Sequence, residues 1–292
     1  MREGNRTYTV RLSKRLQAVA DFVTPGSRVA DVGCDHAYTA IYLAGHGIAP
    51  GIVAMDVNQG PIDRAKENIR KYGYSDIIET RRSDGLEKLA AGEADTILIA
   101  GMGGALMIQI LTNKKEVLQS VKELVLQPQS EIHKVRHMLQ EEGFLIVGED
   151  MVKEDGKYYF IMRAVKNNLI LDAMQPDAIE PDAIEPDAIE PDAIEPDAIE
   201  PDSIKPDIMR LDTTKHNITK YVLTEDVHFY YGRLLLEQKH PLLREFMFWD
   251  YGLCEGIMQS LGAEQTENSM ARKQEINERM GLLQRGLAFY QD

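Results

Sequence analysis

The sequence predicts an α/β fold built on a mainly parallel sheet, and two observations favour it. Five apolar segments alternate with helical patterns along the first half of the chain. They lie at about residues 28–32, 51–55, 77–81, 95–99 and 122–127. Four of them run into an acidic residue or a glycine cluster. Such strand ends form a nucleotide-sized pocket at the carboxyl edge of a parallel sheet.

The helical patterns between these segments complete the predicted sheet. Residues 13–23 predict a first helix, because Ser13 can cap it and apolar residues share one face. Further helices are predicted at about residues 36–46, 60–72, 103–112 and 130–142. Residues 144–152 and 157–165 then indicate an antiparallel pair joined by residues 153–156. We therefore expect a parallel sheet that ends in an antiparallel hairpin.

A pentapeptide repeat divides the chain. Residues 176–200 are five copies of PDAIE, followed by a degenerate copy, PDSIK. The five copies supply −10 of the net charge of −14, so the remaining −4 does not exclude a polyanionic partner. Frequent proline breaks helices and neighbouring acids repel, which favours an extended, solvated spacer. A segment that displays itself to a partner is the alternative.

Three regions follow from this organisation. An α/β domain is predicted over residues 1–166, an acidic and disordered linker over 167–212, and a helical domain over 213–292. In the helical domain apolar residues recur at three- and four-residue steps. The two series are Leu242, Phe246, Trp249, Leu253, Ile257 and Leu261, then Ile276, Met280, Leu283, Leu287 and Tyr290. The break between them predicts two helices folded back as a hairpin, and the pattern leaves open what they pack against.

Composition excludes several classes of protein. No apolar run is long enough for a membrane span, and the first residues lack the apolar stretch of a secretory signal. Cys34 and Cys254 are the only cysteines, which is too few for a disulfide framework or a metal knuckle. We therefore expect a cytoplasmic protein.

The turn after the first strand, RVADVGCDHAY, carries the most chemical information. The Asp31 carboxylate can hold backbone amides or an ammonium group, and Gly33 permits close approach of a ligand. A dinucleotide fingerprint needs glycine where Asp35 stands, and two carboxylates would repel a pyrophosphate. The turn therefore favours a less anionic ligand, with an ordinary strand–turn–helix junction as the alternative.

Later strand ends add candidate contacts. Asp56 can accept both hydroxyls of a ribose, while Asn58 can simply cap a helix. Asp84 and Gly85 can bind an adenine ring or form an ordinary turn. The glycines after Ala100 bring backbone close to the centre of the sheet.

Polar and basic residues suggest where a second ligand would bind. His36 can act as a general base or only bond backbone, and Tyr38 can stack on a base or join the core. Cys34 has no evident support as a nucleophile and is expected to pack. Basic residues cluster near the N-terminus, between residues 64 and 82, and again after the repeat, where they suit phosphates but also ordinary solvated helices.

The segments SKRLQAVADFV, ADVGCDHAY, ADTILIAGMGG and ELVLQPQ resemble the bacterial tRNA (adenine(22)-N1)-methyltransferase family, the TrmK-like enzymes. The likeness runs from Leu12 to about Val165. The segment 231–243 and the helices after it resemble that family's coiled-coil domain. The resemblance implies a Rossmann-like class I methyltransferase sheet plus a C-terminal helical coiled-coil hairpin. It also implies S-adenosylmethionine as cofactor and transfer of its methyl group to N1 of one adenosine in tRNA.

Residue roles follow from the same resemblance. The implied cofactor-lining residues are Asp31, Gly33, Cys34, Asp35, His36, Asp56, Val57, Asn58, Asp84, Gly85, Ala100, Gly101 and Met102. Asp35, His36 and Tyr38 are expected at the target adenine, and Arg11, Lys14, Arg15, Lys239 and Arg244 at RNA phosphates. No metal is expected, and the chain is expected to be a monomer or a dimer formed through the hairpin. The alternatives are a methyltransferase for another RNA, a protein or a small molecule, and a non-enzymatic scaffold. Two departures stand out: Cys34 replaces a frequent serine, and the acidic repeat is not a family feature.

Overall fold

The computed structural model describes residues 10–167, 222–262 and 266–291. The strands in these ranges are β1 (Val29–Val32), β2 (Ile52–Asp56), β3 (Ile78–Arg82), β4 (Thr96–Met102), β5 (Glu123–Pro128), β6 (Phe144–Glu154) and β7 (Lys157–Lys166). The helices are α1 (Lys14–Asp21), α2 (Tyr38–Gly45), α3 (Gln59–Tyr72), α4 (Gly104–Thr112), α5 (Lys115–Ser120), α6 (Ile132–Glu141), α7 (Asp226–Tyr231), α8 (Arg233–Glu237), α9 (Pro241–Leu261) and α10 (Glu267–Ala288). The predicted α/β fold is confirmed, whereas the short helices α5, α7 and α8 were not predicted.

The seven strands form one sheet in the order β3-β2-β1-β4-β5-β7-β6 within the described residues. Strands β1 to β5 are parallel, and β7 is antiparallel to both β5 and β6. The β6–β7 turn is shorter than predicted, because Asp155 (φ 50°) and Gly156 (φ 74°) alone reverse the chain. Both strands consequently reach further beyond the carboxyl edge of the sheet than the sequence indicated.

Helices cover both faces of the sheet, as a parallel sheet requires. One core contains Met107 of α4, Leu118 of α5 and Leu139 of α6. The other contains Val19 of α1 and Ile41 of α2, together with residues of α3. These two cores hold the strand ends in fixed positions relative to one another.

The C-terminal helices pack on the α/β domain. A third core joins Met151 of β6 and Phe160 of β7 to residues of α7, α8, α9 and α10. Helices α9 and α10 lie side by side, with Asp250 paired to Arg279 and the Lys273 Nζ donating to Gly262 O at 2.8 Å. The coiled-coil character of this pair and the domain boundaries stay predictions. The PDAIE repeat lies outside the described residues.

The apolar stripe predicted for α9 was only partly right, because Leu242, Phe246 and Ile257 pack against the third core but other members do not. Trp249 and Leu253, which belong to the predicted stripe, are 52% and 45% exposed, whereas Leu243 and Met247 are buried. The apolar side chains of α9 form two adjacent stripes. The stripe that contains Leu243 and Met247 packs against β6, β7 and α10 and is therefore the buried one. The second predicted series, on α10, agrees better with the structure, because Ile276 and Leu283 are buried. No helix in the described ranges is both long and apolar enough to cross a bilayer.

A buried ion pair connects the two parts of the protein. Arg136 of α6 is 1% exposed, and its Nε donates to Glu149 Oε1 on β6 at 2.9 Å. The Arg136 Nη1 also donates to the carbonyl of Phe229 at 2.8 Å. Glu149 Oε2 accepts from the backbone N–H of Leu234 at 3.1 Å. The pair therefore caps the end of α7 and the start of α8 from inside the α/β domain.

Candidate functional site

The candidate site lies where the order of the strands reverses. Strands β1 and β4 are neighbours at the centre of the sheet, and the crossovers from them lead in opposite directions. In open α/β sheets ligands bind outside the carboxyl ends of the strands at this point. Asp31, Asp56, Asp84 and the segment after Ala100 all lie at this edge. The topology thus places most of the predicted cofactor-lining residues together.

Asp31 provides the strongest chemical signal at this edge. Its side chain is buried, and no donor within the described residues reaches Oδ2. Burial, with a smaller contribution from the charge of Asp56, raises the pKa of Asp31 to about 7. A buried carboxyl group with one unbonded oxygen fits a cationic partner, such as the ammonium group of an amino-acid moiety.

The turn after Asp31 is fixed by backbone hydrogen bonds and by the conformation of Gly33. The N–H groups of Gly33 and Cys34 donate to the Met55 carbonyl at 2.8 and 2.9 Å. Gly33 has φ 78°, and a Cβ there would overlap the terminal methyl group of Met102. Cys34 is buried, and burial raises the pKa of its thiol, so it packs as a neutral side chain. The positive φ therefore favours glycine at position 33, whereas the flexible Met102 side chain could move away from a Cβ.

The second strand ends in an acid that the backbone orients. The Asp56 Oδ1 accepts the N–H of Asn58 at 2.9 Å, which orients the carboxylate at the carboxyl edge of the sheet. Asn58 is the N-cap residue of α3, but its side chain makes no capping hydrogen bond. Val57 is exposed beside them. Asp56 is therefore positioned to accept hydroxyl groups, and Asn58 is left available to a ligand.

The third strand ends in a tight turn that Ser83 shapes. The buried Ser83 hydroxyl donates to Gly85 O at 2.9 Å and accepts from Lys88 N at 3.1 Å. Gly85 has φ 51° and faces the side chain of Ile110. Asp84 is exposed above this turn. Ser83 was not among the predicted site residues, because its role depends on the turn that its hydroxyl group closes in the folded protein.

The loop between β1 and α2 carries the residues predicted for the target base. Helix α2 begins at Tyr38, two residues later than the sequence predicted, and His36 lies in the preceding turn. The His36 ring stacks on Tyr38 with centroids 5.6 Å apart, and its Nε2 lies 3.5 Å from Asp35 Oδ2. Tyr38 is 39% exposed, so it does not belong to the core. These three side chains form one exposed cluster.

Arg15 lies at the site rather than on an outlying basic surface. Its Nη1 donates to Gln127 Oε1 at 2.8 Å, and the guanidinium lies 5.2 Å from the ring centroid of Tyr159. A Cβ at Gly101 would also lie near this guanidinium. The sequence did not predict this contact, because Arg15 and Gln127 are far apart along the chain. Arg11 and Lys14 are exposed nearby.

The two remaining predicted phosphate contacts lie on the helical part. Lys239 and Arg244 are exposed, and the Arg244 guanidinium lies 5.6 Å from the Phe248 ring. Helix α9 adjoins the β6–β7 turn through the Tyr158 hydroxyl, which donates to Glu245 at 2.9 Å. Basic and aromatic side chains are therefore presented together on the side to which β6 and β7 project.

The sheet order, the glycine turn after β1 and the oriented acid after β2 define a Rossmann-like methyltransferase domain. The family model described as a methyltransferase domain matches residues 12–162. The chain is 41% identical over 155 residues to the tRNA (adenine(22)-N(1))-methyltransferase of Bacillus subtilis, a match that covers 53% of this chain and 65% of that protein. The chain belongs to the methyltransferase-domain family that this family model describes, and it is similar to the bacterial tRNA (adenine(22)-N1)-methyltransferases, the TrmK-like proteins.

Solved structures extend the likeness beyond the methyltransferase domain. The crystal structure of the Bacillus subtilis M1A22 tRNA methyltransferase TrmK is 27% identical, with a TM-score of 0.71, and the match covers 95% of this chain and 99% of that one. A Streptococcus pneumoniae protein solved in complex with S-adenosyl-L-methionine has the same fold, with a TM-score of 0.69 and 24% sequence identity. The match covers 95% of this chain and 100% of that one. The C-terminal helices thus belong to the shared architecture, although the sequence match to the Bacillus subtilis relative spans just under two thirds of that relative's length.

Proposed function

We propose that this protein transfers a methyl group from S-adenosylmethionine to ring nitrogen N1 of the adenosine at position 22 of tRNA. The observation that carries the proposal is the likeness to the Bacillus subtilis enzyme, which extends over 95% of the chain in structure. The site supports it independently. Asp31 offers an unbonded buried oxygen to the ammonium of the cofactor, and Asp56 offers a carboxylate to its ribose.

The remaining cofactor contacts extend this assignment. Gly33, Cys34, Asp35 and His36 would follow the amino-acid end, with Val57 and Asn58 beside the ribose. Asp84 and Gly85 would flank the adenine ring of the cofactor. The segment Ala100, Gly101 and Met102 would border the sulfonium, where backbone without bulky side chains permits close approach.

Methyl transfer to adenine N1 does not require a general base. Bound S-adenosylmethionine supplies an electrophilic methyl group on a positively charged sulfur. The lone pair of adenine N1 forms the new N–C bond while the C–S bond breaks, and the positive charge passes from sulfur to the base. No proton must leave N1 first, so the protein's task is alignment in a pocket from which water is excluded.

Substrate binding would involve the exposed cluster and the basic side chains. Asp35, His36 and Tyr38 would hold and stack the target adenine, which must be unpaired or flipped out for N1 to be reached. Arg11, Lys14, Lys239 and Arg244 would bind phosphates. Because Arg15 is bonded to Gln127, we assign it to the rim of the pocket, where it would meet the target nucleotide.

Mass spectrometry of tRNA nucleosides tests the proposal directly. Incubation of the full chain with methyl-labelled cofactor and a tRNA carrying adenosine at position 22 is expected to give labelled 1-methyladenosine. The same tRNA with guanosine at position 22 should remain unlabelled. Label in another RNA, a protein or a small molecule would favour the broader methyltransferase alternative. Absence of cofactor binding by calorimetry would favour a scaffold.

Deleting residues 176–205 is expected to leave kcat and KM for tRNA within about threefold of the full chain. The contacts that the structure describes between the two parts of the protein involve residues such as Arg136 and Phe229, which are not deleted. Shortening a long connection changes its closure free energy only slightly. The nucleoside assay measures both constants, and a large loss of activity would show that the repeat is more than a spacer.

A further inference from the structure

The loop that precedes α2 is held in an unfavourable backbone conformation. Asp35 (φ 46°) and Ala37 (φ 58°) both occupy the left-handed region, which residues other than glycine rarely adopt. They lie on either side of His36. Such conformations cluster at functional sites and persist only where surrounding contacts enforce them. The contacts that enforce this one are therefore of functional interest.

Helix α3 supplies two of these contacts. The Arg64 Nη2 donates to Asp35 Oδ1 at 3.2 Å, and the Asn68 Nδ2 donates to the carbonyl of His36 at 3.0 Å. Arg64 and Asn68 are four residues apart and therefore lie on one face of the helix. Asn68 is half-buried, and Ala37 beyond it is completely buried. One helix face thus holds both the side chain and the backbone of the loop.

The same helix begins at the cofactor side of the site. Helix α3 starts directly after Asn58, whose N–H is bonded to Asp56. Its N-terminal end is therefore tied to the ribose-binding acid, and its next turns are tied to the loop that carries His36 and Tyr38. A rigid element joins the two halves of the site.

We propose that Arg64 and Asn68 are positioning residues for methyl transfer, acting by holding residues 35–38 in the geometry that presents the target adenine. The proposal rests on the proposed function in one respect, the assignment of this loop to the base. Loss of Arg64 frees the Asp35 carboxylate, which also contacts His36. Loss of the Asn68 donor leaves the His36 carbonyl without its bond, so the backbone can relax from the left-handed region.

Steady-state kinetics at saturating cofactor and tRNA test the first part. Arg64→Gln and the isosteric Asn68→Asp, which turns a donor into an acceptor, are each expected to lower kcat about tenfold. Binding of S-adenosylmethionine should stay within about twofold, because Asp31 and Asp56 are untouched. Arg64→Lys keeps a charged donor and should recover part of the loss.

Lys66→Gln is the matched control, because Lys66 lies exposed on the same helix and its loss removes the same charge. We expect its kcat to be unchanged. A role in phosphate binding would instead raise KM for tRNA. If Arg64→Gln and Asn68→Asp also change only KM, the positioning role is overturned.

Amide hydrogen exchange provides a readout that does not depend on activity. Faster exchange confined to residues 34–38 is expected in Arg64→Gln and Asn68→Asp, and not in Lys66→Gln. Unchanged exchange with unchanged kcat overturns the proposal while the proposed function stands. Faster exchange throughout the domain, with a lower unfolding temperature, would show a purely structural role and overturn it as well. If the unmodified protein fails to methylate tRNA, the proposed function falls, and exchange still decides whether α3 holds the loop.

Discussion

Asp31→Asn is expected to weaken binding of S-adenosylmethionine about a hundredfold at pH 8, as measured by isothermal titration calorimetry. The substitution keeps the shape of a buried side chain and removes the negative charge that, in the proposed site, would face the ammonium of the cofactor. Asp31→Ala should lose at least as much. Asp63→Asn, which removes an exposed acid from α3, is the control and should bind normally.

The pH dependence of binding sharpens this test. Because burial raises the pKa of Asp31 to about 7, the unliganded protein carries a proton there at acidic pH. A cationic ligand needs the charged form. The dissociation constant is therefore expected to rise up to about tenfold for each pH unit below 7, and this dependence should disappear in Asp31→Asn. A parallel slope in the variant would contradict the assignment.

The Asp31→Asn substitution should weaken cofactor binding without lowering the stability of the folded protein. The pKa of Asp31 is raised in the folded state above its ordinary value of 3.8. The contribution of protonated Asp31 to the free energy of unfolding is therefore fully present below pH 3.8 and is lost as the pH rises to about 7. Asp31→Asn is therefore expected to be as stable as the unmodified protein, or more stable, at pH 8. A large fall in the unfolding midpoint would show that Asp31 has a structural role instead.

Arg136→Met is expected to destabilise the protein by about 3–5 kcal/mol in urea denaturation, the usual cost of breaking a buried ion pair. The methionine fills part of the space but leaves the Glu149 carboxylate buried without a cation. Burial already raises the pKa of Glu149 against the influence of Arg136, so the isolated acid must become neutral or remain unfavourably charged. The substitution also removes the donor that holds the Phe229 carbonyl. The C-terminal helices should detach before the sheet unfolds.

Lys134→Met is the matched control for this experiment. Lys134 lies on the same helix and pairs with Glu131 at the surface, with the lysine side chain 57% exposed. Exposed pairs contribute at most about 1 kcal/mol. The double variant Arg136→Met with Glu149→Met should recover part of the loss, because no unpaired charge remains. Equal effects of Arg136→Met and Lys134→Met would mean that the buried pair does not stabilise the joint.

Local sequence patterns predicted the sheet well because its buried strands are rich in apolar residues. Strand β5 has an apolar centre at residues 124–126 and is buried throughout, and the Asp-Gly sequence between β6 and β7 is typical of a hairpin turn. Helix α9 shows where this reasoning fails. Both of its registers are apolar, so only its neighbours decide that Met247 is buried and that Trp249 is exposed.

The sequence by itself determined which edge of the sheet carries the predicted site residues, because parallel strands bring Asp31, Asp56 and Asp84 to one edge whatever the order of the strands. Tertiary structure alone decided the partners of charged side chains. Arg15 meets Gln127, Arg64 meets Asp35, and Arg136 meets Glu149. Long charged side chains carry no periodic signal, and their energies depend on burial and on donors that are distant in the chain. The sequence therefore identified the edge proposed to bind the cofactor, and the fold decided how that edge and the C-terminal helices are held.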